Sequence, residues 1–339
     1  MGRGGRTGLD EAFVTRCSGP RSRLRAFGAS AIARNRPSVH RANGIVSAAT
    51  DIPRTDLMRC DIVVVLYEAE LALALLQAES IAKFIDPASV DRIIYCINDE
   101  DPRTTSDFIY SKIYPLLEKV GIRTCMLFRE HFTLKTGNGY CLQQIQKLET
   151  AFRVQTDFYV AIDTKNFLVK NFSLSDLFVG SYPATFLESY EENDFRRYMK
   201  SMYLAYWSVP DPHTDIHLPA MATPFVFEAD LVRGMIAEIE RRERTSFGPF
   251  FERNFGASGG YSEFLLYSAY LYSQRQRAGR SRSFSLTSWG DTPVAPEEIH
   301  VLVDTARNNP DWKMCGIHKA RLGPDPQRTL DEIRAAIGL

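Results

Sequence analysis

Asp163 closes an apolar run, FYVAID, and the residues Thr164-Lys165-Asn166 separate it from a second apolar run, FLV. A carboxylate at the end of a buried strand emerges at the edge of a sheet. There it can hold a hard divalent cation, Mn2+ or Mg2+, which in turn neutralises a diphosphate. The same residue type also serves turns and helix caps, so spacing alone leaves both roles open. Lys165 puts an ammonium two positions further on. It either gives positive charge to a phosphate directly or pairs with Asp163 at the surface for little energy. His318 follows the last apolar run, and His is a good divalent-metal ligand, although a strand-end His is otherwise solvated or capped. Glu263 comes just after Gly260-Tyr261-Ser262. In a helix's first turn the dipole keeps its carboxylate ionised, as a general base for an acceptor hydroxyl requires. Ordinary helix stabilisation places a Glu there equally well. Gln144 and Lys147 lie three apart and share one helix face; a solvated face is the default for such a pair. His213 and His217 sit in a loop without the spacing of a third metal ligand.

The elements that must position these groups alternate from residue 58 onward. Asp61–Tyr67 is a short, β-branched apolar run, as expected for a parallel strand buried on both faces. Further strands are expected at Arg92–Ile97, Arg123–Phe128, Asp157–Ile162, Asn166–Val169, Thr223–Phe227 and Trp312–Ile317. Helices are expected at Glu70–Phe84, Asp107–Val120 (stopped by Gly121), Tyr140–Phe152, Phe195–Tyr206, Ala229–Arg242, Ser262–Tyr272 and Leu330–Ile337. Strands separated by helices of this length make βαβ units and a parallel sheet, which collects ligands at the carboxyl ends of its strands. Trp207–Thr223 is too long for a plain connection and is a candidate binding lid.

Composition narrows the classes. Lys plus Arg and Asp plus Glu number 41 each, so the formal net charge is zero and nucleic acid is not expected as a partner. No run of eighteen apolar residues exists, so at most peripheral membrane association is expected. The six cysteines are scattered with no CxxC pair, which fits small buried hydrophobes in a reducing, cytoplasmic setting rather than a zinc site. The chain lacks GxxxxGK(S/T) and any GxGxxG opening a helix after the first strand, which disfavours phosphotransferases and dehydrogenases. Residues 1–57 hold ten Arg, no Lys and four acidic residues. Such a stretch fits a disordered basic arm, an organellar transit peptide or a start codon placed too early, and disorder or a misplaced start is favoured. The folded domain is expected over 58–322, with 323–339 as a tail carrying a short helix.

The run Gly139-Tyr140-Cys141-Leu142-Gln143-Gln144-Ile145-Gln146-Lys147-Leu148, followed by the strand ending at Asp163, resembles the GT-A glycosyltransferases. In these, a helix of the type GWxxQQxxKL precedes the strand bearing the metal-binding DxD motif. The form IDTKNFLV looks most like an uncharacterised bacterial group of glycosyltransferase-like proteins linked to surface polysaccharides, as do Ser262-Glu263-Phe264-Leu265-Leu266-Tyr267 and Gly316-Ile317-His318-Lys319. The resemblance covers roughly residues 60–320. It implies an α/β, GT-A-like, Rossmann-type, mainly parallel sheet flanked by helices. It also implies a nucleotide-sugar donor, a glycan or lipid-linked acceptor, and a divalent cation at Asp163 and His318. Catalysis would fall to Glu263 and Asp163, with Asp211 and Asp215 in the long loop as substitutes for the base. Donor binding would fall to Tyr67, Glu68, Asn98, Gln144, Lys147, Lys165 and Asn166, with Tyr67 stacking on the base and Glu68 accepting from ribose hydroxyls. The departure is Lys165, which stands where a second DxD carboxylate would. A catalytically inactive nucleotide- or sugar-binding module on the same scaffold is the alternative function.

The basic stretch before Met58 shows no buried periodicity. A chain starting at Met58 is therefore expected to be soluble and to melt cooperatively at about the full-length temperature. A large fall in Tm would show that the arm packs on the domain.

Overall fold

The computed structural model describes residues 59–339, apart from 180–181, 185, 189, 191–193, 210–216, 257–259, 261 and 275–282. The expected basic arm, together with Asp211, His213 and Asp215, lies outside the described residues. Strand β1 (Cys60–Leu66) leads through helix α1 (Leu71–Phe84) to β2 (Val90–Ile97). Helix α2 (Arg103–Phe108), a π-helical turn and α3 (Tyr114–Glu118) then lead to β3 (Arg123–Leu127). Helix α4 (Gly139–Glu149) crosses to β4 (Phe158–Ala161). Short strands follow: β5 (Asn166–Leu168), β6 (Phe178–Val179) with β7 (Tyr182–Pro183), and β8 (Leu187–Glu188), whose partner β9 (Leu218–Pro219) comes after α5 (Asp194–Tyr206). The chain continues through β10 (Phe225–Glu228), α6 (Ala229–Glu243), α7 (Phe247–Gly256), α8 (Glu263–Ser273), β11 (Ser285–Ser288), α9 (Pro296–Asn308), β12 (Met314–Ile317) and α10 (Pro326–Ile337).

The main sheet has the order β10-β4-β1-β2-β3, with β10 antiparallel to β4 and the other neighbours parallel. This is the expected α/β class, a mainly parallel sheet flanked by helices. The apolar run of β1 has the expected reason. Val63 and Val65 pack into one core with α4 to α8, while Ile62, Val64 and Leu66 pack into a second with α1 and α3. A strand buried on both faces needs a near-continuous apolar run, which β1 has from Ile62 to Leu66, while its buried Asp61 pairs with Arg92 at 3.1 Å.

Sheet order also fixes where a ligand can sit. The chain leaves β1 toward β2 and β3, then crosses back to place β4 on the other side of β1. Connections diverging from one edge open a crevice outside the carboxyl ends of those two strands. Tyr67 follows β1 and Asp163 follows β4, so both stand at that opening.

A second sheet, β11-β12-β5, lies beside the first. Strand β11, whose polar SLTS carries no apolar period, and helices α7 and α9 are not expected from the sequence. Helix α10, in the stretch read as a tail, packs Leu330 and Ile333 with Leu73 and Leu76 of α1 and with β12 and α9. Among the described residues no helix is long and apolar enough to cross a membrane. Cys60, Cys96 and Cys315 are buried in the cores.

Gly316 lies in the middle strand of the second sheet, opposite Thr287 and Asn166. A Cβ there would sit 2.8 Å from Thr287 Oγ1 and 3.0 Å from Asn166 Nδ2. Gly316→Ala is expected to lower the unfolding free energy by about 1–3 kcal/mol through overpacking, read as a lower urea midpoint. An unchanged midpoint would show that these strands part without cost.

Candidate functional site

The Asp163–Asn166 segment is a β-turn, with the Asn166 amide donating to the Asp163 carbonyl at 3.0 Å. Gln77 of α1 pins both ends. Its Nε2 donates to the carbonyl of Asp163 at 2.7 Å and to that of Asn166 at 2.9 Å. Thr223, just before β10, closes the other side, its hydroxyl lying 2.7 Å from Asn166 Oδ1 and 3.2 Å from Asp163 Oδ2. Thr164 donates to Glu70 Oε2 at 2.7 Å. The turn is therefore held from α1, β10 and the β1–α1 junction.

This turn brings Asp163 and Lys165 together, and α4 adds a second ammonium. Lys147 Nζ donates to Asp163 Oδ1 at 2.9 Å, while Lys165 Nζ pairs with Asp163 Oδ2. Lys147 Nζ also forms an ion pair with Glu263 Oε1 at 2.9 Å. Two aromatic rings complete the electrostatics: Phe264 lies 5.1 Å from the Lys147 ammonium and Trp289 lies 5.0 Å from that of Lys165. The Tyr159 hydroxyl of β4 donates to the Lys147 carbonyl at 2.9 Å, which fixes the height of α4 against the sheet.

Helix α8 starts at this cluster. The Ser262 side chain accepts from the Leu265 amide at 3.1 Å, and Gln144 Oε1 accepts from the Glu263 amide at 3.1 Å. Gln144 and Lys147 do share a face of α4, and that face meets α8 rather than open solvent: both residues are buried.

These contacts set the proton affinities. Burial would raise the Asp163 carboxyl, but Lys147 and Lys165 outweigh it and hold the group well below the usual carboxylate range. Burial would lower the Lys147 ammonium, yet Asp163 and Glu263 reverse the sign and keep it charged. For Glu263 burial prevails over the attraction of Lys147, so its carboxyl is pushed up. Glu70 is likewise raised by burial, against the hydrogen bond from Thr164.

A cleft of about 900 Å³ opens above the cluster. Asp163, Lys165, Lys147, Gln144, Glu263, Asn98, Tyr67 and His318 all line it. Glu68 does not: its side chain is exposed, its amide donates to Asp99 at 3.0 Å, and Glu70 lines the cleft instead. Asn166 also stays beneath, 1% exposed, as part of the turn's own bonding. Asn98 holds the start of α4, donating from Nδ2 to the Gly139 carbonyl at 2.9 Å. His217 is exposed and does not line the cleft. Two shallower depressions, of about 480 and 380 Å³, lie around Lys83 and Phe84 and share no residue with it.

Several lining groups carry no role in the sequence expectations. Arg129 donates to the Asn98 carbonyl from Nε at 3.0 Å, Lys319 lies 4.6 Å from the Tyr67 ring, and Tyr140, Phe186 and Trp289 expose aromatic rings. Gln77 could have been found. It stands in LALALLQAESIAKF, where the helix is apolar on most sides and a polar side chain must find a partner. Nothing in the sequence marks Trp289.

The expected cation requires a donor set these residues do not make. Both carboxylate oxygens of Asp163 carry ammonium partners, the second acidic position is Lys165, and His318 packs its ring 5.6 Å from Trp289. No three His, Cys, Asp or Glu residues gather in metal-binding fashion among the described residues. A divalent ion at Asp163 would have to displace two ammoniums that repel it. The reading of Asp163 and His318 as a metal pair fails this test of fit.

Fold and site thus define an α/β protein with a polar ligand cleft at the switch point of its sheet. The chain belongs to DUF6492, a family of unknown function, whose match spans residues 66–293. That span includes the Asp163 cluster and stops before His318. No curated protein matches the chain. Among solved structures it is similar to an active-site mutant of LgtC, at TM-score 0.43 and 10% identity over 81% of this chain and 95% of that one. It is also similar to the galactosyltransferase LgtC in complex with donor and acceptor sugar analogues, at TM-score 0.41 and 9% identity over the same shares.

Lys147 pairs with both Glu263 and Asp163 in a buried setting, and among the described residues no other Lys or Arg pairs with Glu263. Lys147→Met leaves Glu263 unpaired and is expected to cost about 3–5 kcal/mol of stability. In a denaturant double-mutant cycle, Asp163→Asn and Lys147→Met should cost less together than the sum of the two alone. Additive costs would show that the pair is not coupled.

Proposed function

We propose that this chain is a GT-A-type, nucleotide-sugar-dependent glycosyltransferase, hexosyltransferase-like, acting on a hydroxyl of a glycan or lipid-linked acceptor as in surface-polysaccharide synthesis. The observation that carries the reading is a strand-end carboxylate, Asp163, bracketed by Lys147 and Lys165 at the switch point of a mainly parallel sheet, in a cleft of about 900 Å³. The cleft has room for a nucleotide sugar. Tyr67, at the end of β1, offers a ring for the base, and Glu70 takes the ribose role expected of Glu68. The ammoniums face the diphosphate, where a leaving group gathers negative charge, and preorganised charge aimed there favours the transition state.

Glu263 is the proposed base of a single-displacement transfer. The acceptor oxygen bonds to the anomeric carbon as the bond to the diphosphate oxygen breaks, and the hydroxyl proton passes to the carboxylate. Burial raises the Glu263 carboxyl, the direction that strengthens it as a proton acceptor. A cytoplasmic enzyme, at most peripheral to a membrane, fits this role.

A second reading has its own observation. Glu263 is only 1% exposed and Lys165 replaces the second acidic residue, which fits a non-catalytic nucleotide- or sugar-binding module on the same scaffold.

A panel of nucleotide sugars tests both, with binding read by calorimetry and turnover by donor hydrolysis and transfer. One donor is expected to bind and turn over. Glu263→Gln is expected to lower kcat by at least about a hundredfold at near-wild-type donor affinity. Binding without turnover by the wild type would establish the module, and no binding of any donor would sink both readings.

A further inference from the structure

We infer that the positive charge facing the donor's diphosphate is built into the chain, with Lys165 as its principal carrier, so that the site binds a nucleoside diphosphate without a divalent cation. This rests on the donor-binding reading above and goes further by assigning the counter-charge. The geometry is specific. Lys165 sits at the third position of a β-turn pinned by Gln77 and Thr223, so its backbone cannot drift from Asp163. Its ammonium spends one donor on Asp163 Oδ2 and lies 5.0 Å from the Trp289 ring. An ammonium has three donors, which leaves two for a ligand. The side chain is 17% exposed on the cleft side, enough for a phosphate oxygen to reach.

Asp163 then has a different task from a metal ligand. It holds two ammoniums at fixed positions in the empty protein, so neither loses side-chain freedom when the ligand arrives. Lys147 is the deeper of the two, 6% exposed and shared with Glu263, and acts as the support. Arg129 and Lys319 add positive charge further along the same cleft. A carboxylate whose two oxygens are already taken by ammoniums offers a divalent ion neither open ligands nor a negative field.

The test uses the full chain, with UDP, GDP, ADP and inorganic pyrophosphate as probes, by calorimetry in EDTA and in Mn2+. Mn2+ alone is followed by electron paramagnetic resonance. At least one nucleoside diphosphate is expected to bind in EDTA with an affinity that Mn2+ does not improve. Lys165→Met should weaken that binding by roughly tenfold to a hundredfold, the loss of one charge-assisted contact. Lys165→Asp restores an acidic pair beside Asp163. It should gain Mn2+ binding that the wild type lacks and make nucleotide binding dependent on Mn2+. Thermal melts of both variants check that the fold persists, and Lys165→Arg, which keeps the charge, should retain most of the affinity. Binding by the wild type only with Mn2+ would overturn this inference and leave the proposed function standing. Binding in EDTA unaffected by Lys165→Met would overturn the assignment to Lys165. No binding of any probe, with or without Mn2+, would overturn the inference and the donor-binding reading together.

Discussion

One buried ammonium organises the functional half of this molecule. Lys147 reaches from the middle of α4 to Asp163 at the end of β4 and to Glu263 at the start of α8. Burying one positive and two negative groups costs several kcal/mol per ion before their attraction is counted, and apolar packing would fill the same space more cheaply. What the cluster provides is position. The ammonium can satisfy both carboxylates only if helix, strand end and helix start meet at one point. The surrounding bonds are consistent with that geometry. Tyr159 ties β4 to the backbone of α4 at Lys147, Gln144 accepts from the first amide of α8, and the ring of Phe264 lies under the charge. Phe264 in turn stacks among Phe225 and Phe227 of β10, so the charged cluster and the aromatic core of this layer share a wall.

The second constraint is a turn held by side chains from distant parts of the chain. Gln77 and Thr223 are separated from Asp163 by 86 and 60 positions respectively, yet both bond to the turn. A short β-turn between two strands has few contacts of its own, and a loop at a ligand edge is ordinarily the part most free to move. Here the turn is packed between α1 and the start of β10. That rigidity sets Lys165 beside Asp163 to within a hydrogen bond, and it explains why Asn166 serves the turn and not the cleft.

The sheet was legible because its physical cause is local. A strand buried on both faces is apolar over its central residues, and IVVVL, IIYCI and FYVAI each satisfy that; a polar turn or loop then marks the carboxyl end. Asp163 was visible for the same reason, as the first charged residue after such a run. The second sheet was not, because Ser285–Ser288 is polar and short and gains its place by pairing with β12. The site was legible only in part. Lys147 looked like one side of a solvated helix face, and nothing in the spacing says that α8 covers it. Glu68 and Glu70 flank the same 3-10 turn, and which of them looks inward is decided by Asp99, which accepts from the Glu68 amide, and by Thr164, which reaches Glu70. Partners brought together by tertiary packing leave no period in the sequence.

The charges in the cleft bear on how far the cluster can receive an anion. Formally the lining is acidic: Glu70, Asp99, Glu100, Asp163, Glu188 and Glu263 face Arg129, Lys147, Lys165 and Lys319. Much of that negative charge is already spent. Asp99 accepts from the Glu68 amide and from Thr105, and Glu100 lies 3.6 Å from Arg129. Burial raises the proton affinity of both Glu70 and Glu263 against the pull of the nearby lysines. Asp163, by contrast, is held ionised by two lysines and is the fixed negative charge of the cluster.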